Sequence, residues 1–176
     1  HAENFFLIQE YEKAKEIYTE IKKKGTIYNW HASKQITSIL KRQNKNKEAL
    51  NNLKKSFEKI ANPRIYEIFD YAEFLKDNEK YKESIEYYSK VLNLIDTKNV
   101  LFAQVVDGRG IAYERTDQWD KAEVDLLNSL SASPDDAYVI NYLAYSWIEQ
   151  GINIKQSLDM LEKANKLKPN DGYIID

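Results

Sequence analysis

Small residues return along this chain at a nearly fixed interval: Ala14, Ala49, Ser84, Ala122 and Ser157, in steps of 35, 35, 38 and 35. Each sits in the same local block, with a large residue four positions later. The blocks run from Tyr11-Glu-Lys-Ala14 to Tyr18, Asn46-Lys-Glu-Ala49 to Leu53, and Tyr81-Lys-Glu-Ser84 to Tyr88. Two more run from Trp119-Asp-Lys-Ala122 to Leu126 and from Ile154-Lys-Gln-Ser157 to Leu161. A second small position lies twelve residues upstream, at Ala2, Thr37, Ala72 and Gly110. In the fifth copy it is Ala144, with one residue inserted near Gly151. A period in this range means that one supersecondary unit is repeated and that its copies must stack to bury a core.

The unit is helical. Five Gly and three Pro in 176 residues are too few for the turns of a β-sandwich or barrel. Two antiparallel helices approach closely where small side chains meet, and large residues at i+4 and i+8 fill the space beside the crossing. Ala49 with Leu53 and Phe57, and Ala122 with Leu126 and Leu130, form such stripes. Hydrophobic residues make up 43% of the chain and charged residues 31%, a balance that suits a globular domain and excludes a disordered tail. No apolar run approaches the roughly 18 residues that cross a bilayer.

The blocks resemble the tetratricopeptide repeat, whose period is near 34 residues and whose pattern combines an aromatic, small helix contacts and a terminal proline. The resemblance covers essentially the whole chain. It is best at 103–134 and 137–171, which close on Pro134 and Pro169. It implies an all-α, right-handed α-solenoid of about five helix-turn-helix repeats in a single domain spanning 1–176. The expected repeats are 1–29, 30–64, 65–99, 103–136 and 137–171, with 172–176 opening a further one. Departures are visible. Asn46 replaces an aromatic, Thr26, Ala61 and Asp96 stand where prolines are expected, and Pro63 comes two residues late. The 38-residue step predicts a longer connection around Asp96–Phe102 or a longer first helix in the fourth copy. The chain starts within the first repeat and stops at Gly172-Tyr-Ile-Ile-Asp176. The reading is therefore a piece of a longer protein, with His1 a remnant of cloning. The run from Asn141-Tyr-Leu-Ala-Tyr to Lys168-Pro-Asn-Asp-Gly172 looks like those of long bacterial tetratricopeptide proteins.

Residues that carry chemistry are sparse. Cysteine is absent, which excludes disulfides and thiolate metal sites. His1 and His31 are the only histidines, and His31 has no helical neighbours that complete a triad or a metal site. Gly108-Arg-Gly110 lacks the preceding strand and third glycine of a phosphate loop, so Gly110 reads as a helix-crossing residue. Asp135 and Asp136 follow Pro134 where a helix begins and suit its N-terminus. Asp70 and Glu73 share a helix face and read as solvated acids. No catalytic residue, cofactor or metal is expected, and the chain is not read as an enzyme.

Charge is uneven. Residues 1–60 hold 13 Lys and Arg against 7 Asp and Glu, while the whole chain carries a net charge of −2. A basic first third favours an acidic partner or surface, or is simply a solvated lysine-rich face. With a pI near 5.8 overall, nucleic acid is not the expected partner.

The family resemblance implies a concave face lined by first-helix residues that binds peptides. Its positions here are His31, Lys34, Gln35 and Ser38, then Tyr66, Phe69, Asp70 and Glu73. Next come Gln104, Asp107 and Ile111, and finally Tyr138, Asn141, Tyr142 and Tyr145. Members that clamp a C-terminal carboxylate use a Lys-Asn-Asn-Lys-Arg set that this chain lacks. The tyrosines at 138, 142 and 145 share one helix face, either open to a partner or packed between helices. The expected function is a scaffold that binds a peptide segment or helix of a partner protein in this groove. The alternatives are a targeting or substrate-recruiting region of a larger enzyme, and a self-assembly element that stacks through uncapped ends. With no transmembrane segment in the sequence, the expected compartment is soluble, cytoplasmic or periplasmic.

Overall fold

The computed structural model describes residues 2–25 and 28–174, with side chains from residue 10 onward. The expectations for His1, for the packing contact of Ala2, for Thr26 and for the last two residues fall outside these. Among the described residues there are nine helices and no strand. They are α1 (Ala2–Lys23), α2 (Asn29–Arg42), α3 (Asn46–Phe57), α4 (Ile65–Asp77) and α5 (Tyr81–Leu92). They continue with α6 (Phe102–Glu114), α7 (Trp119–Ala132), α8 (Ala137–Glu149) and α9 (Ile154–Leu167). The chain forms two compact units, the first ending at Tyr71 and the second beginning at Ala72, inside α4.

From α2 onward the helices are connected two by two through tight turns: α2 to α3, α4 to α5, α6 to α7 and α8 to α9. The expected first pair is instead one continuous helix of 22 residues, α1. No glycine or proline interrupts its sequence, so nothing in it breaks the hydrogen-bond ladder. The long 38-residue step is a matter of connection, because α4, α6 and α8 all have 13 residues. The extra chain between Leu92 and Phe102 is held by Asx turns. Lys98 N donates to Asp96 Oδ1 at 2.9 Å, and Leu101 N donates to Asn99 Oδ1 at 3.0 Å.

All four pairs are joined by one turn. Lys45 N donates to Leu40 O, Lys80 N to Leu75 O, Gln118 N to Tyr113 O and Ile152 N to Trp147 O, at 2.8–2.9 Å. The residue before each donor is left-handed: Asn44 (φ 60°), Glu79 (φ 60°), Asp117 (φ 59°) and Gly151 (φ 71°). This is the Schellman helix end, which satisfies the last carbonyls of the first helix while reversing the chain.

In the first unit, Ala49, Leu53 and Phe57 are buried along one stripe of α3. Ala49 packs with Ile36 and Leu40 of α2 and with Tyr18 of α1. Phe57 stacks on Tyr71 with ring centroids 4.3 Å apart and meets the edge of Trp30 at 5.8 Å. In the second unit, Leu126 packs with Val139, Leu143 and Trp147. Ala137, Ile140, Ala164 and Ile174 form a neighbouring cluster. Each large side chain so buried contributes about 1.5–3 kcal/mol. Most small positions behave as packing logic requires: Ala49, Ala72, Ser84, Ala122, Ala144 and Ser157 are fully buried, whereas Ala14 is half-buried. Leu130, placed at i+8 of its stripe, is only partly buried, and Ser129 beside it is the buried residue.

Candidate peptide-binding faces

In the first unit, α2 and the start of α4 carry the expected residues. Asp70 is the hub. Its Oδ2 accepts a hydrogen bond from Trp30 Nε1 at 2.9 Å and from Lys34 Nζ at 2.6 Å. The solvated reading of Asp70 therefore gives way to a half-buried acid anchored by an indole and an ammonium. His31 and Ser38 are exposed and Gln35 is half-buried. His31 sits edge-on to Tyr18, with centroids 6.4 Å apart. Tyr66 is 60% exposed and Phe69 half-buried.

The second unit gathers its residues more tightly. Glu73 accepts hydrogen bonds from Tyr88 Oη and from Lys76 Nζ, the latter at 3.0 Å. It too is a half-buried, partnered acid rather than a solvated one. Burial, and next the Glu73 charge, push the Tyr88 hydroxyl well above the usual phenol range. This contact explains Gly108: a Cβ there would lie 2.6 Å from Tyr88 Cζ and 2.8 Å from Glu73 Oε1. Gly110 is the crossing residue expected, since its Cβ would meet Leu126 Cγ at 3.1 Å and Ala122 O at 3.2 Å.

Asp107 lies half-buried on α6 and makes no ion pair or hydrogen bond with a described side chain. Burial pushes its carboxyl up to about 6. Lys76 opposes that shift, and Asp136 and Glu73 add to it. Gln104 is exposed and Ile111 half-buried on the same helix. From α8, Tyr142 Oη donates to Glu114 Oε2 at 2.8 Å while its ring packs on the Leu126 cluster. Burial, then the bond to Glu114, raise its hydroxyl above the ordinary phenol value.

The tyrosine trio thus divides. Tyr138 is 45% exposed, donates to Asp171 Oδ2 at 2.7 Å and has Lys168 Nζ 4.3 Å from its ring centroid. Tyr142 is part core and part face, and Tyr145 is half-buried. Asn141 Nδ2 donates to Tyr173 O at 3.1 Å, and its Oδ1 is buried without a partner. Asp136 caps α8, accepting from Tyr138 N at 3.0 Å, whereas Asp135 pairs with Lys163 at 2.8 Å.

Several participants were not legible from spacing: Trp30, Lys76, Tyr88 and Glu114 all come from positions outside the expected face. Another is the ion pair of Arg109 with Asp125. Arg109 Nε donates to Asp125 Oδ2 at 2.7 Å, an Nη to Oδ1 at 2.9 Å, and the other Nη to Ser89 Oγ at 3.0 Å. Asp125 is buried, and this fork joins α5, α6 and α7. Among the described residues, no group of His, Asp and Glu is arranged to hold a metal ion, and no helix is long and apolar enough to cross a membrane.

Helix pairs closed by one recurrent turn, with small residues at every crossing, define an all-α helical-repeat protein. No family model matches the chain. Over 112 residues it is 26% identical to a TPR repeat-containing protein of Pseudomonas aeruginosa; the match covers 60% of this chain and spans 17% of that relative's length. The fold is shared with MamA from Desulfovibrio magneticus RS-1, at a TM-score of 0.72 and 14% identity over 92% of this chain and 88% of that one. It is shared also with YrrB, a TPR protein with an unusual peptide-binding site, at 0.68 and 15% over 98% and 86%. The chain therefore has the all-α fold of tetratricopeptide-repeat proteins.

Proposed function

We propose that this chain is a protein-interaction scaffold and that the α6–α8 face of its second unit binds a segment of a partner protein carrying a basic side chain. The observation that carries this reading is Asp107. It is a half-buried carboxyl near Glu73 and Asp136, it forms no ion pair with a described residue although the Lys76 charge acts on it, and Tyr142 stands near it. A lysine or arginine from a partner would neutralise that site, while Tyr138 and Tyr145 offer contact area at low entropic cost. YrrB, which has the same fold, carries a peptide-binding site, and this supports a peptide segment as the ligand. The carboxylate-clamp set is missing from the chain, so C-terminal tails are not the expected partner.

The test is an arrayed peptide library probed with wild type, Asp107→Lys and Tyr138→Ala, with circular dichroism verifying helix content in each. Wild type should retain peptides enriched in Lys and Arg. Asp107→Lys should weaken those by about tenfold or more, and Tyr138→Ala by less. Identical peptide profiles for all three folded proteins would reject the reading.

A further inference from the structure

The first unit contains a cavity of about 550 Å³ between α1, α2 and α3, of the size that takes a small molecule. Five lysines line it (Lys15, Lys22, Lys23, Lys55 and Lys59) and no carboxylate does. Lys15 pairs with Glu12 and Lys23 with Glu20. The other three make no ion pair with a described residue.

Lys22 shows that this is more than a solvated lysine face. It is half-buried, and its Nζ donates to Asn52 Oδ1 at 3.0 Å and to Ser56 Oγ at 2.9 Å, both neutral. The Asn52 amide is fixed, because its Nδ2 donates to Ser33 O and to Thr37 Oγ1, each at 2.9 Å. That leaves Oδ1 as the group facing Lys22. Two of the three ammonium donors are thereby engaged and one remains for a ligand. Burial and the Lys59 charge push the Lys22 pKa down, so the site carries an uncompensated electrostatic cost. An anion would remove it.

We propose that this cavity binds a compact multivalent anion, a phosphate monoester or diphosphate, through Lys22, Lys55 and Lys59. Three ammonium groups with no acid among the lining residues exceed what one monovalent carboxylate neutralises, and point charges on flexible stems suit a phosphoryl group. Trp30, Ile36 and Ile60 give the cavity an apolar wall for whatever the phosphoryl group is attached to. The site belongs to α1–α3 and is independent of the tyrosine face.

The experiment is isothermal titration calorimetry of the whole chain with pyrophosphate, using inorganic phosphate and acetate as comparisons. Wild type should bind pyrophosphate saturably at one site, phosphate more weakly and acetate without saturation. The Lys55→Gln, Lys59→Gln double variant changes only exposed side chains, and should weaken pyrophosphate by about tenfold or more. Lys22→Gln should do the same, and Lys163→Gln in the second unit should bind like wild type. Absence of saturable pyrophosphate binding overturns the proposal. So does an equal loss in Lys163→Gln, which would mark general attraction to positive charge, or binding unchanged in the double variant.

Discussion

The two units share a helix-pair plan and treat buried charge in opposite ways. In the second, the guanidinium of Arg109 meets Asp125 through two parallel hydrogen bonds, and Asp125 is shut away from water. In the first, Lys22 is drawn in among neutral oxygens with Lys59 as its charged neighbour. Conversely, the second unit leaves an acid, Asp107, without an ion pair to a described residue, while the Asp70 acid of the first is satisfied by Lys34 and Trp30. The repeat pattern therefore governs where helices cross and is indifferent to the charge carried between crossings. Each unit thus holds one half-buried charge without an ion pair to a described residue: Lys22 in the first and Asp107 in the second.

Stability measurements can break this comparison. Asp125→Ala strands a guanidinium between α5, α6 and α7, and should cost about 3–5 kcal/mol, the usual result of removing one partner of a buried pair. Lys22→Met takes away an ammonium that has no counter-charge, and its two hydrogen bonds offset little more than its desolvation. It should stay within about 1 kcal/mol of wild type. Urea unfolding of both variants followed by circular dichroism measures the difference. Equal losses would mean that Lys22 is a structural strut rather than a held-open charge.

A smaller effect sharpens the acidic half of the comparison. The Asp107 carboxyl is pushed up to about 6 in the fold, against about 3.9 in an unfolded chain. A carboxyl raised in this way favours the folded state only while protonated. Its contribution is full below about pH 4 and is lost as the pH rises through about 6. Asp107→Asn removes that dependence. The stability of the variant relative to wild type should therefore grow by about 1–2 kcal/mol between pH 4 and pH 7, allowing for solvent screening of a half-buried group. A flat difference across that range would show that the aspartate is better solvated than its surroundings imply.

What the sequence disclosed follows the same division. The crossings were legible because a small residue at fixed spacing has one physical use, and Ala49, Ala122 and Gly110 are found in that use. The helical class and the capping role of Asp136 were legible for similar local reasons. The single long α1 was not, since a repeat register imposed from downstream places a turn where the residues of α1 contain no breaker. The candidate face was only partly legible. Helix periodicity places Tyr138, Tyr142 and Tyr145 on one side, but how each is buried depends on neighbours far along the chain. Glu114 and the Leu126 cluster decide it for Tyr142, and Asp171 and Lys168 for Tyr138. The lysine cavity was visible only as an excess of positive charge, because its floor is formed by Asn52 and Ser56 from a different helix.

The smallest effect concerns the turn that the two units share. Four residues adopt the same left-handed conformation: Asn44 in the first unit, and Glu79, Asp117 and Gly151 in the second. Asn and Asp tolerate it and Gly has no Cβ to object, whereas a glutamate there costs roughly 1 kcal/mol or more of steric strain. Glu79→Gly should therefore stabilise the protein, by less than the strain relieved, because glycine also frees the unfolded chain. A gain of about 0.5 kcal/mol is expected, with Glu79→Asn close behind, read as a small rise in Tm. Gly151→Glu, introducing the same strain at the corresponding turn, should lower it. If Glu79→Gly is destabilising instead, the glutamate side chain contributes something at this turn that outweighs its backbone strain. The four turns would then be alike in hydrogen bonding but not in energy, and the shared plan of the two units would extend to geometry alone.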